Sequence, residues 1–210
     1  MIDFLFLDQG LCYWCKEEEI SDFYLCESCL SKLDYVDNVF KIDGYQAHAI
    51  YFYNKFMASM IADYKFNRNT SLYKVFSTMV DSYVRENKES FLGFDYILPA
   101  PSSIRTINKR GFDHIRLITD LFVENNKISY LEDFKKIKET KAQHTLDLED
   151  RMKNLSGSFS CHKDLKGKSV LIFDDIITSG NTIKEIIKVL EKCKAKDIKI
   201  LSLCSSHKVL

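Results

Sequence analysis

The sequence has few of the features that mark fibrous, low-complexity or membrane-spanning chains. Its 210 residues include only 2 prolines and 7 glycines, which excludes collagen-like and linker-like classes. No apolar run is long enough to cross a bilayer. The N-terminus lacks the basic segment of a secretory signal and carries Asp3 and Asp8 instead. We therefore expect a cytoplasmic globular protein without an integral membrane segment, for which any membrane association would be peripheral.

Net charge is also lacking, since 30 basic and 30 acidic residues cancel, but the charges are unevenly distributed. Residues 1–50 contain 3 Lys/Arg and 10 Asp/Glu, so that residues 51–210 contain 27 and 20. A basic body favours a polyanionic ligand, although exposed lysines often serve only solubility. The length and the 46% hydrophobic composition suit one medium domain with a small appendage.

Cysteine, by contrast, is well represented, with seven residues. Four of them form two C-x-x-C pairs that are separated by ten residues. In a reducing cytosol such pairs indicate metal binding rather than disulfides. Four thiolates complete a tetrahedral zinc site and leave no open position, so the site is expected to be structural. Coincidental cysteines and a redox C-x-x-C are the alternatives. The predicted ligands are Cys12, Cys15, Cys26 and Cys29.

The most informative stretch is VLIFDDIITSGNT, residues 170–182. Residues 170–173 form an apolar run that is typical of a buried parallel strand. Asp174 and Asp175 follow at its carboxyl end, and a short polar loop around Gly180 comes next. Apolar residues then recur at helical spacing, at Ile183, Ile186, Ile187 and Leu190. The order predicts a strand, an acidic turn, a polar loop and a helix start.

This order suits a phosphorylated sugar. A loop that leads into a helix offers unpaired N–H groups to an anion, and glycine lets the backbone approach it closely. The acids can accept hydrogen bonds from sugar hydroxyls or lie beside a hard cation. The Walker and dinucleotide glycine motifs are absent. The alternative is a plain turn in which Thr178 or Ser179 only caps the helix.

A second candidate anion site follows a predicted strand that begins at Tyr96. Two serine hydroxyls and three cations come within a few residues of a proline-rigidified turn, an arrangement that suits a pyrophosphate. A turn followed by a basic helix is the alternative. The residues are Ser102, Ser103, Arg105, Lys109 and Arg110. The nearby His114 is assigned no catalytic role, because a lone histidine is usually structural.

The rest of the chain predicts alternating helices and strands. Helices are expected from Asn54, over residues 72–84, from Ile115 and over residues 182–193. One or two strands are expected within residues 34–53, and others over residues 130–137 and 197–204. At the end of the first helix, Lys65 and Arg68 lie beside aromatic residues and could contact a phosphate or a base. The alternative there is a solvated helix end. Residues 138–159 are polar, with a helix expected over 145–155.

The stretch FDDIITSGNT, residues 173–182, resembles the phosphoribosyl pyrophosphate (PRPP) signature of type I phosphoribosyltransferases. The resemblance implies that Asp174 and Asp175 contact the ribose hydroxyls and that Mg²⁺ accompanies PRPP. It also implies a loop around the 5′-phosphate, formed by Thr178, Ser179, Gly180, Asn181 and Thr182. The serine-rich turn resembles the pyrophosphate loop of the amidotransferase branch, and residues 138–159 correspond to the flexible loop that closes over the site.

Taken together, the motifs are similar to the ComF family. The resemblance rests on the two C-x-x-C pairs, on LPAPSSIRTINKRGFDH, on KAQHTL with RMKNLSGSF, and on FDDIITSGNT. It implies an α/β fold with a parallel sheet of the type I phosphoribosyltransferase type, over residues 34–210. A small zinc finger would occupy residues 1–33. It further implies a role in natural transformation, in uptake of single-stranded DNA, beside a competence helicase or other DNA-processing protein.

Three functions follow from this resemblance. The favoured one is a DNA-handling competence protein that keeps a PRPP–Mg²⁺ site and binds single strands on its basic body. The second is an active phosphoribosyltransferase with an unidentified acceptor. Glutamine-dependent amidotransfer is disfavoured, because no N-terminal catalytic cysteine or glutaminase domain is present. The third is a PRPP-sensing regulator without catalysis.

The four-thiolate arrangement predicts one zinc ion per chain. Elemental analysis of protein purified without chelator should find zinc in equimolar amount, because a closed Cys₄ site retains the ion through its folding free energy. Protein that is folded and contains no zinc would overturn the finger assignment.

Overall fold

The computed structural model describes residues 10–67, 69–91, 93–138 and 156–206. The sheet elements in chain order are β1 (Tyr35–Ile42), β2 (Tyr45–Phe52), β3 (Tyr96–Pro99), β4 (Ser129–Tyr130), β5 (Phe134–Lys136), β6 (Phe159–Cys161), β7 (Ser169–Ile177) and β8 (Asp197–Ser205). The helices are α1 (Glu27–Leu30), α2 (Lys55–Phe66), α3 (Leu72–Glu86), α4 (Lys88–Phe91), α5 (Ile104–Arg110), α6 (His114–Asn126) and α7 (Asn181–Lys192). Among these described helices, none is long and apolar enough to cross a membrane.

Six of the strands form one sheet in the order β1-β2-β8-β7-β3-β4. All neighbours are parallel except β1 and β2, which form an antiparallel hairpin. The two residues between them, Asp43 and Gly44, have φ of +47° and +90°. A two-residue turn with positive φ at both positions matches the twist of the strands it joins. The predicted parallel sheet is therefore confirmed, with an antiparallel strand at one edge.

The central strand, β7, is longer than predicted. Its apolar residues 170–173 are fully buried between β8 and β3, as a central parallel strand requires. Pairing with β8 continues through Ile176 and Ile177, which lie opposite Cys204 and Ser205. The two acids therefore lie within the strand and not after it. The expectation that the strand ends at its first charge was wrong, because β8 continues to pair with β7 beyond both acids and Lys65 compensates the buried charge of Asp175.

The single strand predicted over residues 130–137 is also wrong. The chain forms β4, turns, and forms β5, which pairs with β6 in a separate two-stranded sheet. The Leu131 amide still donates to the Ile97 carbonyl at 2.9 Å, and the Phe134 amide then donates back to the Leu131 carbonyl. This turn moves the chain from one sheet to the other. The helix predicted over residues 145–155 lies outside the described residues.

The four helices predicted within the described residues are confirmed, and their apolar faces form the core. α7 buries the four residues whose spacing predicted it, Ile183, Ile186, Ile187 and Leu190. α3 and α6 pack against each other and bury large side chains such as Phe76 and Phe122. Burial of apolar area at about 25 cal/mol per Å² supplies most of the driving force for such packing.

The cysteine-containing segment packs on the N-terminal end of α2. The Trp14 ring meets the Phe56 ring edge-on, with centroids 5.6 Å apart. Asn54 caps α2 by accepting from the Met57 amide at 2.8 Å. Its amide group donates to the Lys32 carbonyl and to the Asp34 carboxylate, each at 2.9 Å. One side chain thus both starts the helix and holds the preceding segment against it.

Asn54→Ala should lower the free energy of unfolding by about 1–2 kcal/mol, because it removes a helix cap together with two hydrogen bonds. Asn54→Ser keeps a capping oxygen and loses the donors, so its loss should be smaller. Urea unfolding of the metal-loaded protein measures both values. An Asn54→Ala variant as stable as the wild type would contradict the assignment.

Candidate functional site

The candidate site lies at the carboxyl ends of the parallel strands β3, β7 and β8, where open α/β sheets bind ligands. From β7 the chain passes through a three-residue loop into α7, a helix of 12 residues. Gly180 has φ +69°, and a Cβ there would lie 3.3 Å from Ile42 Cδ1. The backbone angle therefore favours glycine at the helix start, and a larger residue would also have to displace the Ile42 side chain slightly.

The two acids occupy different environments. Asp175 is 4% exposed, whereas Asp174 is half-buried. The Asp175 amide donates to Asp174 Oδ1 at 2.9 Å. Asp175 Oδ2 forms an ion pair with Lys65 Nζ and lies 3.6 Å from His114 Nε2. α2 and α6 thus supply the groups that surround the buried carboxylate.

A closed ring of polar contacts connects these groups. The Arg110 guanidinium contacts His114 Nδ1, and its Nε donates to the Lys65 carbonyl at 3.1 Å. A guanidinium can only donate, so His114 Nδ1 must accept and Nε2 must carry the proton. We assign this tautomer from the network, and it directs an N–H group toward Asp175. The ring therefore runs from Lys65 to Asp175, His114, Arg110 and back to Lys65.

These contacts shift the pKa values of the two acids in opposite directions. Burial by itself would raise the pKa of Asp175, but the Lys65 ammonium outweighs it and holds that pKa below its ordinary value. Burial raises the pKa of Asp174, and the neighbouring Asp175 charge raises it further. Burial lowers the pKa of His114 to about 3, so this histidine is neutral at pH 7. The site holds an ionised carboxylate beside one that resists ionisation.

The predicted pyrophosphate residues are only partly brought together. Arg110 is connected to the acid pair indirectly, because it contacts the Lys65 carbonyl and His114 Nδ1. Ser103 caps α5 by accepting from the Thr106 amide at 3.2 Å. Arg105 and Lys109 are exposed on α5, and the half-buried Ser102 lines a neighbouring cavity of about 330 Å³. Their role in anion binding remains a prediction.

The sequence pattern predicts Lys65 as a candidate contact and predicts no catalytic role for His114. The structure gives Lys65 a partner that pattern reasoning did not foresee, since Asp175 is 110 positions away in the chain. The separation of four residues between Arg110 and His114 was the available signal, and an intervening glycine obscured it. Arg68 lies outside the described residues.

The four paired cysteines meet in one cluster. Their sulfur atoms all lie within 4.8 Å of one another. Cys15 Sγ and Cys26 Sγ are 3.7 Å apart, close to the roughly 3.8 Å that tetrahedral zinc with 2.3 Å bonds would impose. Burial would raise the pKa of the Cys12 thiol, but surrounding backbone N–H groups lower it to about 7, whereas burial and neighbouring thiols raise the pKa values of Cys26 and Cys29 in the absence of a metal. The cluster therefore fits a metal ion that binds thiolates.

The mostly parallel sheet and a family match together define a domain of the phosphoribosyl transferase type. The family model described as "Phosphoribosyl transferase domain" matches residues 104–208. The chain is 30% identical to Competence protein ComFC of Streptococcus pneumoniae over 160 residues, which are 76% of this chain and 68% of that protein. It is 26% identical to Competence protein F of Haemophilus influenzae over 206 residues, which are 92% and 90% of the two chains. The chain belongs to the ComF family.

Among solved structures, the chain is similar to an adenine phosphoribosyltransferase of Saccharomyces cerevisiae. The identity is 14%, the TM-score is 0.43, and the match covers 85% of this chain and 86% of that one. This likeness concerns the fold alone, and the family assignment rests on the sequence matches.

The buried neutral histidine predicts a pH dependence of stability. An unfolded histidine binds a proton near pH 6.5, whereas His114 in the fold does so only near pH 3. Because the unfolded state binds the proton first, His114 lowers the free energy of unfolding as pH falls from about 6.5 toward 3, by up to about 1.4 kcal/mol per pH unit. His114→Gln should remove this contribution, which urea unfolding at pH 7, 6 and 5 measures.

His162→Gln is the matched control, because His162 is exposed on the surface. Its stability profile should follow that of the wild type. If His114→Gln also followed the wild-type profile, His114 would not be a buried neutral group.

Proposed function

We propose that this protein acts in natural transformation, handling incoming single-stranded DNA in the cytoplasm, and that its acid pair and phosphate loop bind PRPP with Mg²⁺. The observation that supports the proposal is that Asp174, Asp175 and the loop 178–182 lie toward the carboxyl end of the central strand β7 and the start of α7, the part of an open α/β sheet where ligands commonly bind. The names of its relatives support the cellular role, since two are competence proteins and one from Shigella flexneri is a DNA utilization protein.

PRPP would use the two halves of the site differently. The ribose hydroxyls would donate to the ionised Asp175 and to Asp174, in place of part of the Lys65 contact. The 5′-phosphate would accept from backbone N–H groups at the start of α7, where Gly180 allows close approach and the helix dipole favours an anion. Mg²⁺ would neutralise part of the pyrophosphate charge. The protein contacts of the pyrophosphate would be Ser102, Ser103, Arg105 and Arg110.

Single-stranded DNA would bind the basic body of the protein. The charge difference of residues 51–210, 27 basic against 20 acidic residues, supports this role. Lys65, Lys109 and Arg68 are the proposed contacts, Arg68 lying outside the described residues. Cations interleaved with aromatic rings suit unpaired strands, and affinity should fall steeply with salt. A competence helicase or other DNA-processing protein is the proposed protein partner.

The cysteine cluster would hold zinc in a structural role. Four thiolates are hard to reconcile with a catalytic ion, since they leave no open coordination position. The resulting finger would pack its partly buried Trp14 side chain against Phe56 of α2.

An active phosphoribosyltransferase is the second candidate. The family model over residues 104–208 favours it, because its description names the transfer reaction. Catalysis would then consist of positioning PRPP and stabilising the departing pyrophosphate. Exchange of labelled pyrophosphate into PRPP, in the presence of candidate bases or ammonia, tests the hypothesis of an active transferase. PRPP binding without exchange would favour the DNA-handling or regulatory role.

Replacing both acids, Asp174→Asn with Asp175→Asn, should weaken PRPP binding at least about 100-fold, because it removes two charge-assisted contacts to the ribose. Isothermal titration calorimetry with Mg²⁺ present measures the affinity, and circular dichroism tests the fold. Asp197→Asn is the matched control, since this exposed acid lies at the amino end of β8, whereas the candidate site lies at the carboxyl ends of the strands. Undiminished affinity in a folded double variant would refute the site.

A further inference from the structure

Phe66 is an exposed aromatic side chain at the edge of the acid-pair site. It ends α2 and is 70% exposed, whereas the apolar face of that helix buries Met57, Met60, Ile61 and Tyr64. Its neighbour in the chain, Lys65, forms the ion pair with Asp175. The ring therefore contributes nothing to the core and lies one residue from the proposed ligand site.

A cation holds the Phe66 ring from one side. The Arg110 guanidinium carbon lies 5.8 Å from the ring centroid, within the range of a cation–π contact. Arg110 is itself fixed by the Lys65 carbonyl and by His114. The chain that follows Phe66 is also tied to α2, because the Asp63 carboxylate accepts hydrogen bonds from the side-chain amides of Asn67 and Asn69. Phe66 is thus an exposed aromatic ring with a guanidinium beside it.

We propose that Phe66 is the stacking platform for an unpaired base of single-stranded DNA, and that DNA and PRPP antagonise each other because both draw on Arg110 and Lys65. The inference rests on the proposed function and specifies how its two ligands are related. An exposed ring beside a guanidinium offers a base a stacking partner and offers the adjoining phosphate a counter-charge.

The antagonism follows from the shared cations. Arg110 supports the ring and is also the cation that PRPP pyrophosphate would use. Lys65 precedes the ring and neutralises Asp175. Two polyanions bound within a few ångströms of these groups would also repel each other, since the screening length is about 8 Å at physiological salt. Each ligand should therefore weaken the other.

The test is fluorescence anisotropy of a labelled oligothymidylate titrated with the full-length, zinc-loaded protein. Saturating Mg²⁺–PRPP should weaken oligonucleotide binding about fivefold or more, and Mg²⁺–AMP at matched ionic strength should not. Linkage requires the oligonucleotide to weaken PRPP binding by the same factor, which calorimetry measures independently.

Phe66→Ala should weaken oligonucleotide binding about 5-fold to 100-fold, the range for loss of one base stack. The salt dependence should keep its slope, because the substitution removes no charge, whereas Lys109→Met should reduce the slope by about one. Val36→Ala is the matched control, since Val36 is 42% exposed on the edge strand β1. Its affinity should equal that of the wild type.

The outcomes separate this inference from the proposed function. If both ligands bind and neither changes the affinity of the other, the shared-cation inference is wrong and the proposed function stands. If Phe66→Ala binds the oligonucleotide as the wild type does, the platform is wrong. If PRPP does not bind at all, the proposed site itself fails, and the antagonism fails with it.

Discussion

A buried carboxylate in the central strand is the constraint that organises this molecule. Asp175 lies in a strand paired on both sides and is 4% exposed. An unpaired charge in such a place would cost several kcal/mol. The fold meets this cost by bringing Lys65 from α2 and His114 from α6 to the same oxygen. The positions of these two helices relative to the sheet are therefore tied to the chemistry of one side chain.

The same helix also connects the site to the metal-binding segment. α2 is capped by Asn54, which also holds the Lys32 and Asp34 region, and Phe56 in its first turn packs against Trp14. Its last turn carries Lys65, which holds Asp175. Twelve residues thus link the cysteine cluster to the acid pair as one rigid element. A metal ion that orders the finger would therefore support α2, the helix that carries Lys65. The finger and Lys65 lie at opposite ends of this helix.

Patterns within about a dozen residues predicted local structure well. The apolar spacing of α7 and the spacing of the cysteine pairs required no information from elsewhere in the chain, because helical periodicity and ligand spacing are local properties. Prediction failed where distant elements decided the outcome. β7 continues past its acids because β8 pairs with it and Lys65 compensates the charge. β4 and β5 are separate because each finds a different partner strand.

By itself, the sequence determined the class of the domain, the four candidate metal ligands, the acid pair and the polar loop, since each is a short run whose chemistry is carried by adjacent residues. Only the tertiary structure decided what those residues face. It placed Lys65 and His114 on Asp175, turned Arg110 toward both, and left Phe66 exposed beside them. The physical reason is that electrostatic partners are chosen by distance in space. Helix and sheet packing bring together positions that are tens of residues apart in the chain.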